Sequence, residues 1–318
     1  MAGNDEVERE ERADVCEVGA IEELWRYPIK SMLGQRVARA AVTPLGLPGD
    51  RRLALVDRES GKIASAKAPR LWRDLLQCAA TLEDEGERGR GASGNAAGAA
   101  GGAGAAGAAG AVRIALPGDK PLWSTDADVD ERLSAFIGRP VHLADTPPAD
   151  ATLDRAKPDE VLGQGVEAEV AADLVQIGSG SPVGTFVDFA PLHLITTSTL
   201  KRIAELSPRG EIEQQRYRPN LVIRTTEQGF VENDWYGREV HIGTELRIKV
   251  IAVTPRCAVP TLGHGAMPRD VMALRTVAEH NRVVPLTGMG PEPCAGVYAQ
   301  VMAPGRIELG DKVLVSVD

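Results

Sequence analysis

The sequence predicts a mainly β protein with peripheral helices, an α+β chain built as two β-barrel-like units. Three observations carry this. Short apolar runs recur along the chain at strand length and are closed by Gly/Pro turns; helical periodicity is confined to a few segments; and no apolar run reaches the length of a membrane span. With 318 residues and 43% hydrophobic content, the chain can bury a core in each of two domains.

The elements follow in chain order. The opening stretch, MAGNDEVEREERAD, carries six acids and two arginines before any apolar run, so it has neither the basic start nor the apolar centre of a signal peptide. Residues 1–17 are expected to be a solvated acidic tail. Strands are predicted at 20–27, 36–42 and 52–57, separated by turns such as GLPGD (46–50). Two further strand-like runs, 75–83 and 112–118, flank residues 91–111, which contain only Gly, Ala, Ser and Asn and cannot contribute a core. That segment reads as an expanded hairpin loop between neighbouring strands, with an interdomain linker as the alternative. A helix over 126–138 follows from Val129, Leu133 and Phe136 at helical spacing, with Gly138 as its C-terminal cap.

A polar stretch near 145–175 suggests a division into residues 18–150 and 151–318. The second unit is expected to hold strands at 219–224, 245–253, 296–303 and 312–317. Its amphipathic helices are predicted at 198–206, capped by Ser198 or Thr197, and at 268–281.

A net charge of −9 excludes the broad positive field that a general nucleic-acid or anionic-membrane binder needs. Any anionic ligand must therefore meet a local cluster of cations. Cys16, Cys78, Cys257 and Cys294 lack the close spacing of zinc sites or iron–sulfur clusters, and a disulfide framework does not fit this density. The chain is expected to be soluble and cytoplasmic.

The most informative segment is VTPRCAVPTLGHG (253–265). There Cys257 follows a long strand, beside Arg256 and between two prolines, the setting in which a thiolate becomes a ligand or nucleophile. An inert packed cysteine is the competing reading. Lys30 and Ser31 in YPIKSMLG (27–34), Arg51 and Arg52 in LPGDRR (47–52), and Arg218 with Asn220 in RYRPNLVI (216–223) each join a cation to a hydrogen-bonding neighbour. Such groups can hold a phosphate or a polar heterocycle, though each alone also fits an ordinary surface ion pair. His264 could relay protons or could be a loop residue without a role. His142, His193, His241 and His280 read as structural or solvent-facing, and Cys294 reads as packing.

Together, YPIKS, GLPGDRRLALVD, HLITTSTL (193–200), RYRPNLVI, the TPRC loop and CAGVYAQVMAPGRIELGDKV (294–313) resemble the MOSC domain with its N-terminal β-barrel partner, from about Ala20 to the C-terminus. The family includes the amidoxime-reducing components and their bacterial relatives. The resemblance implies an N-terminal MOSC β-barrel domain followed by a MOSC domain. It also implies the molybdenum cofactor (Mo-molybdopterin), a pterin dithiolene carrying a phosphate, with Cys257 as the catalytic metal ligand; a soft thiolate suits such a metal. On the same resemblance, Lys30, Ser31, Arg51, Arg218, Asn220 and Arg256 bind the cofactor. Thr196, Thr197 and Ser198 would supply hydroxyl and backbone donors from a helix start. GHGAMPRD (263–270) departs from the aspartate-proline stretch of the better-known reductases, which leaves Asp270 as a weak substitute for their acid.

The function so implied is a molybdenum-dependent oxidoreductase that reduces small N-hydroxylated or related oxo-bearing substrates. A carrier of the cofactor or of sulfur, without turnover of its own, needs the same exposed thiolate. A cysteine hydrolase would need a histidine and an acid that the sequence does not single out. With no cysteine cluster and no GxGxxG between strand and helix, the expected partner is a separate electron-transfer protein of flavin or iron–sulfur type.

Overall fold

Seven strands close into a barrel: β1 (Val15–Arg26), β2 (Leu192–Thr196), β3 (Leu221–Thr225), β4 (Glu239–Ile242), β5 (Leu246–Pro255), β6 (Glu292–Ala303) and β7 (Lys312–Ser316). In this computed structural model, residues 14–82, 110–148 and 150–317 are described; most of the expected acidic tail and of the Gly/Ala segment lies outside them. The order around the barrel is β2-β3-β1-β7-β4-β5-β6, and β6 pairs back onto β2. Only β2 and β3 run parallel; closure leaves none of the seven strands as a free sheet edge. Alternation builds the interior: Leu246, Ile248 and Val250 on β5 are buried beside the exposed Arg247 and Lys249, and Val240 and Ile242 on β4 are buried beside the half-buried Glu239 and His241.

The parallel pair is joined through a helix, Thr197–Leu206. Its cap is Thr196, whose Oγ1 accepts from the Thr199 N–H at 3.1 Å, and not Ser198 or Thr197 as the sequence suggested. Thr196 still has extended backbone at the end of β2, which is what a cap requires, whereas the next two residues are already helical. The second helix, Met272–His280, starts later than predicted because the Asp270 carboxylate accepts the Met272 N–H at 3.0 Å and holds the chain before it in a turn.

The N-terminal unit has its own core, including Leu55, Leu75, Ile114, Leu133 and Val141. Ala79–Leu82 pairs antiparallel with Val112–Ala115, so the strands on either side of the Gly/Ala segment form the expected hairpin. The run predicted as a strand from residue 75 begins instead with a 3-10 turn, Arg73–Gln77. The helix Val129–Ile137 ends at Gly138 with φ 73°, as its pattern required. Thr152–Ala156 and Ala172–Gln176 form a separate two-stranded hairpin around the short helix Pro158–Gln164. The first strand of the chain, β1, belongs to the large barrel, where it lies between β3 and β7. The described residues are thus mainly β, a closed seven-strand barrel with a second β unit and, among those residues, five α-helices at the periphery. Among the described residues, no helix is long and apolar enough to cross a membrane.

Candidate functional site

Three non-glycine residues among those described have positive φ: Ser31 (63°), Arg51 (42°) and Arg218 (56°). All three line one cavity. Such backbone persists only where surrounding contacts over-determine it, and it concentrates at ligand sites. The loop after β1 brings Lys30 and Ser31, the next turn brings Arg51, the turn before β3 brings Arg218 and Asn220, and the end of β5 delivers Arg256 and Cys257. A register shift between Val253 and Pro255, against β6, marks where β5 leaves its ladder.

The hydrogen bonds explain the strained conformations. Arg51 ties its own turn to the one before β3: Nη1 donates to Asp50 Oδ2 at 2.6 Å and to Asn220 Oδ1 at 3.1 Å, and Nη2 donates to the Arg218 carbonyl at 3.0 Å. Arg218 Nη1 in turn donates to the Met32 carbonyl at 2.7 Å. The guanidinium groups of Arg51 and Arg218 both lie over the Tyr27 ring, 4.5 and 4.4 Å from its centroid. Ser31 Oγ accepts the Ala66 N–H at 3.1 Å. Lys30 Nζ donates to the Phe186 carbonyl at 2.8 Å and to Asp188 Oδ1 at 2.5 Å, and Lys67 Nζ lies 3.2 Å from the other oxygen of Asp188.

At the other end, Arg256 Nη2 donates to the Tyr217 carbonyl at 2.9 Å, and Nη1 lies 3.4 Å from His193 Nε2. Its Nε is buried with no hydrogen-bond partner. Cys257 is 7% exposed, packs with Ala66, Leu76 and Val259, and lines the cavity as part of this apolar wall.

The electrostatics of this cavity oppose those of the whole chain. Five cations line it, Lys30, Arg51, Lys67, Arg218 and Arg256, against one carboxylate, Asp188, in a protein of net charge −9. Burial pushes the Lys30 ammonium down to about 8 despite Asp188, and burial pushes Arg218 down to about 10. Burial alone would raise the Asp188 carboxyl, but Lys30 and Lys67 hold it well below its usual range. His193 is driven well below the ordinary imidazole value by burial and then by Arg256, so it is neutral. Surplus buried cations and an unpartnered guanidinium N–H are what a site for an anionic ligand leaves behind when protein groups alone are counted. With the thiol of Cys257, the donor set fits a phosphate-bearing group that also carries a soft metal.

Of the residues singled out in the sequence, Lys30, Ser31, Arg51, Arg218, Asn220, Arg256 and Cys257 converge here. Thr196, Thr197 and Ser198 do not. The Thr196 hydroxyl donates to Glu232 at 2.7 Å, Thr197 Oγ1 accepts the Thr225 N–H at 3.1 Å, and the Ser198 hydroxyl is shared between Thr225 and the Glu227 carbonyl. Those hydroxyls are spent on the joint between helix and barrel. His264 is buried rather than on a free loop, bonded through Nδ1 to the Leu262 carbonyl at 2.9 Å, and burial pushes it down to about 4. Asp270 is paired with Arg209 at 2.6 Å, outside the cavity. Cys294 is buried on β6, where burial pushes its thiol up to about 12.

Polar lining residues that the sequence did not point to include Lys67, Asp188 and Tyr298, and His193, expected to be structural or solvent-facing, lines the cavity as well. Lys67 could have been found, since Ser65 and Lys67 repeat the pairing of cation and hydroxyl seen in the other loops. The remaining three carry no local signal.

Residues 18–86 match the MOSC N-terminal beta barrel domain and residues 182–314 the MOSC domain. Mitochondrial amidoxime-reducing component 1 of Homo sapiens is 24% identical over 312 residues, covering 93% of this chain and 83% of that protein. Mitochondrial amidoxime reducing component 2 of Rattus norvegicus is 24% identical over 332 residues, covering 96% and 86%. Among solved structures, the YuaD protein from Bacillus subtilis aligns with a TM-score of 0.43 and 9% identity, over 96% of this chain and all (100%) of that one. YiiM from Geobacillus stearothermophilus aligns with a TM-score of 0.28 and 14% identity, over 54% and 75%. The chain carries a MOSC N-terminal β-barrel domain ahead of a MOSC domain.

Proposed function

We propose that the cavity binds the molybdenum cofactor, with Cys257 as the protein's ligand to the metal, and that the loaded protein is an oxidoreductase acting on small N-hydroxylated or related oxo-bearing substrates. The observation that carries this reading is the convergence of a cavity-lining cysteine with five cations and a single carboxylate. Lys30, Ser31, Arg51, Arg218, Asn220 and Arg256 would hold the phosphate and pterin, the arginines through forked donors and Lys30 as a point charge. When bound, the cofactor supplies two-electron redox chemistry. The chain's own groups bind and orient it: the αL backbone of Ser31, Arg51 and Arg218 turns those residues inward, and the apolar wall of Ala66, Leu76 and Val259 keeps water from the thiol side. The relatives named as amidoxime-reducing components support the substrate class. Electrons would come from a separate protein of flavin or iron–sulfur type. We divide the chain at residue 150 into the two units, with β1 lent to the larger barrel.

The test is to express the protein in a host that makes the cofactor, measure molybdenum, and assay reduction of a model hydroxylamine by an artificial electron donor. Molybdenum with turnover is the expected result. Metal without turnover would favour a carrier, and protein free of metal would overturn the reading.

A further inference from the structure

The cations of the cavity are held in two ways. Lys30 and Arg51 are each oriented by a carboxylate, Asp188 and Asp50, which cancels part of the charge it positions. Arg256 is oriented by neutral groups alone: the Tyr217 carbonyl at 2.9 Å, the Tyr217 ring at 5.2 Å and the imidazole of His193 at 3.4 Å. Among the described residues, no carboxylate forms an ion pair with it.

We propose that His193 is a positioning residue that fixes the Arg256 guanidinium beside Cys257 without cancelling its charge, so that an anionic ligand meets that charge undiminished. The inference rests on the reading that Arg256 faces the ligand.

The tautomer follows from the partners. The ring's polar neighbours are Arg256 Nη1 and the backbone of Arg218 and Ala295; a guanidinium has no acceptor, so toward Arg256 the ring serves as acceptor through Nε2, with the proton on Nδ1 facing the Arg218 carbonyl at 3.4 Å. The backbone N–H of His193 donates to Asn220 Oδ1 at 3.1 Å. One residue therefore ties the Cys257 loop to the Arg218–Asn220 turn. The fold also makes room for this ring: a Cβ at Gly296, which has φ 80°, would lie 2.5 Å from His193 Nε2. Gly296 is held there by its N–H, which Glu232 Oε1 accepts at 3.1 Å. Burial and the neighbouring arginines keep the imidazole neutral, as an acceptor for Arg256 must be. A carboxylate in its place would bind the guanidinium more strongly and leave less charge for a ligand.

The experiment measures inorganic phosphate affinity of the cofactor-free protein by calorimetry, with thermal unfolding of each variant as the fold control. His193→Gln offers an acceptor and a donor and is expected to stay within about twofold of wild type. His193→Phe keeps the ring volume but frees Arg256, and is expected to bind on the order of tenfold more weakly. His193→Glu should be weaker still although it can hold Arg256 in place, because it neutralises it. In an Arg256→Met background the His193→Phe penalty should shrink to less than about twofold, the non-additivity expected of a residue acting through another. If Arg256→Met weakens binding while His193→Phe and His193→Glu bind like wild type, or if the His193→Phe penalty is the same in both backgrounds, the inference is overturned and the ligand-facing reading of Arg256 stands. If Arg256→Met binds phosphate like wild type, both fall.

Discussion

The barrel interior and the cavity at its rim are both buried, and they treat polar groups in opposite ways. Beside the barrel, the buried Glu232 accepts from the hydroxyls of Thr196 and Thr199 and from the Gly296 N–H, so its carboxylate is satisfied by neutral donors. In the cavity, five cations share one lining carboxylate, three residues hold positive φ, and an arginine N–H has no partner. The first arrangement serves stability. The second spends stability to keep charge available, which is the expected signature of a site completed by a ligand.

The largest effect that separates the two regions should come from the barrel. Ile242→Ala removes a fully buried side chain from β4 and is expected to cost about 2–5 kcal/mol by denaturant unfolding, with phosphate affinity unchanged. A comparable loss of affinity would mean that the two regions are energetically one.

Arg218→Asn should do the reverse. Asn tolerates the left-handed backbone and removes a buried cation, so unfolding is expected to become harder by about 1 kcal/mol while phosphate binds on the order of tenfold more weakly. Lower stability together with weaker binding would show that Arg218 is a structural residue.

A smaller effect is expected from pH. Because burial lowers Lys30 to about 8, its ammonium is present below that value and is lost as pH rises through it; phosphate affinity should therefore fall above pH 8, where the free phosphate no longer changes its charge. A bound anion favours the ammonium and moves the midpoint upward, never downward. Lys30→Arg should abolish the decline, and an unchanged decline in that variant would assign it to another group. Smallest of all, Cys294→Ala should cost about 1 kcal/mol of packing and leave phosphate affinity intact.

These differences also explain what the sequence could reveal. The helix Val129–Ile137 and its Gly138 cap were legible because spacing and cap are set within one short segment. The hairpin across the Gly/Ala segment was legible because both partner runs are strand-like in themselves. Cys257, Arg51 and Arg218 could be read because each sits in a turn whose local composition is unusual. Asp188 and His193 could not, since their roles exist only after strands far apart in the chain have paired: His193 meets Arg256 across 63 residues and Lys30 meets Asp188 across 158. The hydroxyls of Thr196 to Ser198 misled for the same reason. Their true partners, Glu232, Thr225 and Glu227, are supplied by the fold.

The central claim is that Cys257, and not the fully buried Cys294, is the metal's protein ligand. The measurement that tests it most directly is the ligand set of molybdenum, read by X-ray absorption on protein loaded in a cofactor-making host, in wild type, Cys257→Ala and Cys294→Ala. One sulfur ligand is expected to be lost in Cys257→Ala together with turnover, whereas Cys294→Ala is expected to keep the wild-type spectrum and activity. A wild-type sulfur count and full turnover in Cys257→Ala would contradict the claim.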